Sequence, residues 1–250
     1  MFGLAFLGWA WAAPYDLVIY GATPQGVMAA VAATRAGLKV VVLEPTAHVG
    51  GVLTNGALAT LDLWQGDRGR PFQEGLFTEF YRRIGRQPSF DVRQAEAALR
   101  KMLAELGAEL WTGAKLDRLD AEGSRVNAAT FVQDGKPLRL EAPFWVDASD
   151  TAELAYAAGA QFTLGREDTG LDNAQMAAGL GFRLEGVPWW GVWLSLNREG
   201  LFERSGAGAW GSSGWGFSKI GDGYDPSDLG RYRLRGLNLA RQSDGSVWVN

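Results

Sequence analysis

The sequence predicts an α/β protein: a parallel sheet that carries an inserted antiparallel meander, followed by part of a mixed α+β domain. Three observations predict it. Residues 15–44 read as strand, tight turn, helix and strand; residues 109–141 hold short alternating segments; and the last third is rich in Trp and Gly. The predicted organisation is a leader over residues 1–13, a first domain over 14–160 with the meander at 109–141, and a partial second domain over 161–250.

The first strand is Tyr15-Asp16-Leu17-Val18-Ile19-Tyr20, an apolar, β-branched run suited to a strand buried on both faces. Gly21 ends it. Thr23 is placed as N-cap and Pro24 as first helical residue, so a helix follows over residues 27–36, closed by Gly37 in the left-handed region. Residues 38–43 form the second strand, and Glu44 stands at its end. Such a Rossmann-like βαβ unit holds a dinucleotide for physical reasons. A pyrophosphate needs close backbone approach, donor N–H groups and the positive end of a helix at one point, and Gly21 and Gly26 permit that approach. Glu44 is placed to accept the ribose hydroxyls, which favours an unphosphorylated ribose. The middle glycine of the usual G-x-G-x-x-G pattern is Thr23 here.

The residues after Glu44 separate FAD from NAD. His48-Val49-Gly50-Gly51 supplies a second backbone loop just past the ribose strand, able to reach the pyrophosphate and flavin. A helix over residues 91–106 leads into the meander. The run Pro143-Phe144-Trp145-Val146-Asp147-Ala148-Ser149-Asp150 then reads as a returning central strand with a helix over 151–158 behind it. An NAD-dependent dehydrogenase is the alternative, and it leaves the Gly50-Gly51 loop and the meander unexplained.

These residues together resemble the bacterial FAD-dependent oxidoreductase family with a glutathione-reductase-like FAD-binding domain. The resemblance is carried by Gly21, Thr23, Pro24 and Gly26, by Glu44-Pro45, by His48-x-Gly50-Gly51, by Val146-Asp147-Ala148-Ser149, by Ala158-Gly159-Ala160 and by Leu164-Gly165-Arg166-Glu167, in order over residues 16–183. It implies an oxidoreductase that exchanges a hydride between a small organic substrate, carbohydrates and other ring compounds included, and noncovalently bound FAD. Its implied cofactor-binding residues are Gly21, Thr23, Pro24, Gly26, Glu44, Pro45, His48, Gly50, Gly51, Asp147 and Ser149. The step Ser149-Asp150-Thr151 departs from the family pattern. The resemblance also implies that a final segment, beyond Trp248-Val249-Asn250, returns to close over the flavin, so that this chain is a front portion.

Composition narrows the rest. The chain has no Cys and a single His, which excludes disulfides, thiol catalysis and a multi-histidine metal site. A net charge of −4 with no basic run speaks against nucleic acid. Residues 1–13 are apolar and end Ala10-Trp11-Ala12-Ala13, signal-peptide-like with a small-x-small cleavage site but no basic n-region; secretion or a periplasmic location is the expectation, the cytoplasm the alternative. No membrane span follows. No catalytic base is named; His48 is expected beside the cofactor.

Six of the 11 Trp fall in residues 187–250: Trp189, Trp190, Trp193, Trp210, Trp215 and Trp248. Residues 205–216 thread glycines among them and read as a loop able to serve as a substrate lid. A noncatalytic aromatic carbohydrate-binding protein is a further alternative. Arg183, Asn197, Arg198 and Glu199 read as surface residues, with binding of a substrate carboxylate as the alternative, and Arg82, Arg83 and Arg86 as a solvated helix face.

Overall fold

A computed structural model describes residues 15–63, 73–123, 125–176, 179–203, 206–223 and 236–250; the signal-like segment 1–13 lies outside them. The strands and helices are β1 (Leu17–Tyr20), α1 (Pro24–Arg35), β2 (Val40–Glu44), α2 (Leu76–Arg83), α3 (Val92–Ala104), β3 (Glu109–Thr112), β4 (Lys115–Glu122), β5 (Arg125–Gln133), β6 (Lys136–Glu141) and β7 (Phe144–Asp147). After these come α4 (Glu153–Ala157), β8 (Phe182–Leu184), α5 (Trp189–Glu203), β9 (Gly208–Trp210), β10 (Ser213–Gly216), α6 (Ser218–Asp222), β11 (Leu237–Arg241) and β12 (Val247–Val249). The chain divides into two compact units, Met1–Gly51 with Arg100–Ala174, and Val52–Leu99 with Gln175–Asn250. Residues 52–99, read from the sequence within the first domain, thus cluster with the C-terminal residues.

The first unit is built on a parallel sheet of order β3-β2-β1-β7. β1 and β2 are buried at every position, as expected of strands covered on both faces. Alternate residues Val18, Tyr20, Val41 and Leu43 meet Ala129, Phe131 and Leu140 of the antiparallel meander β4-β5-β6, which therefore caps one face of the sheet. Each fully buried side chain of this size contributes about 1.5–3 kcal/mol, so this apolar layer fixes the meander on the sheet. α1 packs against β1 and β2.

The meander is shorter than expected. Glu109–Thr112 is not its first strand but the edge strand of the parallel sheet, with Leu110 opposite Val42 and Trp111 opposite Leu43. The reason is apolar contact: Trp111 meets the Tyr15 ring edge-on at 6.0 Å, and the Tyr15 hydroxyl donates to Glu109 at 2.6 Å.

The second unit is a five-stranded sheet of order β8-β12-β11-β10-β9, with α5 against β9 and β10. Leu196 of α5, Ala209, Leu239, Val247 and Val249 form its core. Here the sequence expectation of a loop over residues 205–216 is corrected, because β9 and β10 pair antiparallel, Gly214 opposite Ala209 and Trp215 opposite Gly208. Glycine is used for packing: a Cβ on Gly214 would stand 2.9 Å from Leu196 Cδ1, so its absence lets α5 approach the hairpin. Asn197 caps this arrangement by donating to the Ala209 carbonyl at 3.2 Å, and Arg183 pairs with Asp244 and Glu185, each at 3.1 Å.

Asp91 ties the start of α3 to the β11–β12 turn. One carboxylate oxygen accepts from the N–H groups of Arg93 and Gln94 at 2.9 and 3.0 Å, the other from the N–H and hydroxyl of Ser243 at 2.8 and 2.6 Å. Burial alone would raise its pKa; the bonds from Ser243, Gln94 and Arg93 outweigh it and hold the group below its ordinary value.

Candidate nucleotide site

Three loops of the first unit converge at the C-terminal ends of β1, β2 and β7. The first is the β1–α1 turn. Gly21 has φ +103°, and a Cβ there would lie 2.3 Å from the Ala148 carbonyl oxygen; a Cβ on Gly26 would lie 2.0 Å from the Gly21 oxygen. Only glycine fits either place, since the obstruction is backbone that cannot rotate away. Thr23 is the N-cap of α1 as predicted, with Pro24 at the first turn: its hydroxyl accepts from Gly26 N–H at 3.3 Å and donates to the Ala148 carbonyl at 2.8 Å. The middle position that is glycine in the usual motif thus carries a side chain with two jobs, one of which welds the turn to the loop after β7.

The second loop carries Glu44, Pro45, His48, Gly50 and Gly51. Glu44 is buried, and its carboxylate accepts from Ala22 N–H at 2.8 Å, Thr46 N–H at 2.9 Å and the Thr46 hydroxyl at 2.7 Å. A carboxylate offers about four lone-pair directions, so one remains for a further donor. The Ala22 bond places this charge directly beside the glycine turn, as the sequence spacing predicts. Pro45 is half-buried and His48 exposed, its N–H donating to the Thr46 hydroxyl at 3.1 Å. Gly50 N–H donates to the Ala22 carbonyl at 2.7 Å, which brings this loop against the first. A Cβ on Gly51 would lie 3.0 Å from Thr23 Cγ2 and 3.2 Å from an Asp150 carboxylate oxygen.

In the third loop, Asp147 accepts from Ser149 N–H and hydroxyl at 2.9 and 2.7 Å through one oxygen and from Ala155 N–H at 2.7 Å through the other. The Ser149 hydroxyl in turn accepts from Glu153 N–H at 3.0 Å. Both residues therefore hold the β7–α4 connection in shape. The sequence placed them at the site; their bonds make them supports for the loop that contacts Gly21 and Thr23.

Sequence reasoning missed Asp150 beside Gly51, and it missed Tyr20. The Tyr20 hydroxyl donates to Glu153 at 2.9 Å and accepts from Leu116 N–H at 3.2 Å, joining β1, α4 and the meander. Burial, with the carboxylates of Glu153 and Glu44 adding to it, pushes its pKa up to about 12 against a lowering by Leu116 N–H. Its position at the last residue of a buried strand was readable, but its partners are far away in sequence. Among the described residues no cluster of three or more His, Cys, Asp or Glu is arranged to hold a metal ion, and no helix is long and apolar enough to cross a membrane.

A glycine turn opening a helix, a buried carboxylate beside it and two further loops docked on it are the arrangement that an adenine dinucleotide requires. The sequence profile of the family described as FAD dependent oxidoreductase matches residues 16–249. No curated protein matches the chain. Among solved structures, THI4 of Thermovibrio ammonificans is 18% identical, with 61% of this chain and 66% of that one covered at a TM-score of 0.45. The OxyS anhydrotetracycline hydroxylase of Streptomyces rimosus is 24% identical over 54% of this chain and 31% of that one, TM-score 0.36. BexE is 17% identical over 95% of this chain and 43% of that one, TM-score 0.49. The chain thus spans between about a third and two thirds of the length of these structures.

Proposed function

Because this chain belongs to the FAD dependent oxidoreductase family, with FAD as its cofactor, we propose that it transfers a hydride between a small organic substrate and noncovalently bound FAD. The observation that carries this reading is the bond from Ala22 N–H to Glu44 at 2.8 Å, which fixes a buried carboxylate against the turn that opens α1. In this reading Gly21, Thr23, Pro24 and Gly26 present the start of α1 to the pyrophosphate, and Glu44 with Pro45 takes the ribose end. His48, Gly50 and Gly51 extend the cradle toward the flavin, and Asp147 and Ser149 hold the loop that supports Gly21 from behind. Bound FAD supplies the ring that accepts or donates the hydride. The chain's own part is to bind and orient: the α1 end offsets phosphate charge, and the glycines keep side chains out of the backbone's path.

The reading includes a further segment, beyond residue 250, that completes the flavin site. What supports it is β7, which among the described strands pairs only with β1 and leaves Phe144 64% exposed on the open edge of a parallel sheet, a class normally covered. The coding sequence downstream of residue 250 tests this directly: an immediate stop codon overturns it.

The cofactor test is purification of the chain, with and without its continuation, followed by titration with FAD and with NADH. Saturable FAD binding with the flavin spectrum perturbed is expected. A protein that takes up NADH and no flavin overturns the reading in favour of a nicotinamide enzyme.

A further inference from the structure

Glu44, Asp147, Asp150 and Glu153 all stand where the three loops of the first unit meet, and three of these carboxylates are engaged. Glu44 accepts from Ala22 and Thr46, Asp147 from Ser149 and Ala155, and Glu153 from the hydroxyls of Tyr20 and Thr151 at 2.9 and 3.2 Å. Asp150 is the exception. It is exposed, and among the described residues no N–H, hydroxyl or cation pairs with its carboxylate. Its two oxygens lie 3.2 and 3.3 Å from the place a Gly51 Cβ would take, and Thr23 Cγ2 lies 3.0 Å from the same point. The bare Cα of Gly51 leaves the room in which this unpaired charge rests beside the N-cap of α1.

The start of α1 is also where the cofactor reading puts the pyrophosphate, and the attraction available there is limited. The N–H groups of Gly21, Ala22 and Gly26 already donate to the Leu43 carbonyl, to Glu44 and to the Thr23 hydroxyl, and Pro24 has none to offer. The positive end of a helix is equivalent to about half a unit charge, whereas an ionised Asp150 carries a full negative one. Arg100, a cation bonded to the second loop, donates to the Ala47 carbonyl at 2.7 Å and forms no pair with Asp150. A diphosphate arriving at this turn therefore meets a like charge that the surrounding side chains do not neutralise.

We propose, resting on that cofactor reading, that Asp150 sets the affinity of the site by like-charge repulsion. Diphosphate ligands, FAD included, are held more loosely than the glycine cradle alone would hold them, and by an amount that ionic strength controls. Because Asp150 faces water, the effect is moderate, about threefold to tenfold at low salt. Removing the charge costs the fold little, since the carboxylate makes no bond that an amide would lose.

Titration of the full chain with FAD by fluorescence and with ADP by calorimetry, each at about 20 mM and about 1 M sodium chloride, tests it. At low salt Asp150→Asn should bind both ligands about threefold to tenfold more tightly than the parent, and Asp150→Glu, which keeps the charge, should stay near the parent. At high salt the gap between Asp150→Asn and the parent should close to within about twofold, which a change in loop shape would not do. Glu122→Gln, at the end of β4 away from Glu44, should leave both affinities as they are. Thermal unfolding establishes that each variant is folded. Equal or weaker binding by Asp150→Asn at low salt, or a gap that persists at high salt, overturns the proposal and leaves FAD as the cofactor. Failure of parent and variants to bind either ligand overturns the cofactor reading and the proposal with it. Binding of ADP alone, with the same salt-dependent gap, supports the proposal and counts against the flavin.

Discussion

In the first unit a Cβ on Gly26 would stand 2.0 Å from a backbone oxygen, that of Gly21; in the second a Cβ on Gly214 would stand 2.9 Å from the tip of a leucine side chain. Around the nucleotide turn, glycine lets main chain meet main chain, and the obstruction cannot yield. In the β9–β10 hairpin, glycine lets side chains of α5 and of neighbouring strands lie close to the sheet, and a leucine or indole can shift by a few tenths of an ångström. The two glycines therefore do different work: Gly26 permits a rigid main-chain turn, Gly214 close packing beneath large side chains.

Substitutions break or sharpen that contrast. Gly26→Ala should be the most severe, because the turn must open: a loss of about 3 kcal/mol or more in chemical denaturation, together with loss of FAD binding, is expected. A variant that unfolds like the parent would show that the turn is not rigid. Glu44→Gln keeps shape while removing charge, and should weaken FAD about tenfold in a fluorescence titration; unaltered affinity would leave the carboxylate with only its bonds to Ala22 and Thr46. Gly214→Ala should cost less than Gly26→Ala, about 1–2 kcal/mol, since Leu196 can repack, and should spare flavin binding. If it proves as damaging as Gly26→Ala, the two kinds of glycine are not distinct.

The smallest effect expected is that of Asp91→Asn in the second unit, about 0.5–2 kcal/mol at neutral pH from the weakened helix cap. Its pH dependence has a definite sign. The folded-state pKa of Asp91 lies below the ordinary 3.8, so its contribution is present above that value and is lost as pH falls through the folded pKa. Parent and variant should converge in acid; a gap that persists there would mean the loss is not ionic.

The same contrast explains what was legible in the sequence. Leu17–Tyr20, the Thr23 cap, Pro24 and Val40–Glu44 were readable because each is specified by neighbours in the chain: a β-branched run, a capping residue, a proline at the first turn. Glu44 beside the turn followed from spacing alone. Residues 208–216 were not readable, since their glycines signal a loop unless Leu196 and the Trp215 ring are known to lie over them. Glu109–Thr112 reads as part of the meander because nothing local distinguishes a strand that pairs with Val41–Glu44 from one that pairs with its successor. Asp147 and Ser149 were placed at the site, but their work as loop supports depends on Ala155 and Glu153, which pattern reading does not connect to them.

The pairing of Leu17 with Phe144, and of Tyr20 with Asp147, has a consequence for the order in which the protein assembles. β1 and β2 can associate as soon as β2 has followed the first helix out of the ribosome, but the neighbour on the far side of β1 is translated only after α3 and the whole meander. Until then the Gly21 turn has no Ala148 carbonyl behind it and the Thr23 hydroxyl lacks its acceptor. Long-range parallel pairing of this kind is slow to form, and the ligand-binding turn is thus among the last parts of its unit to become rigid.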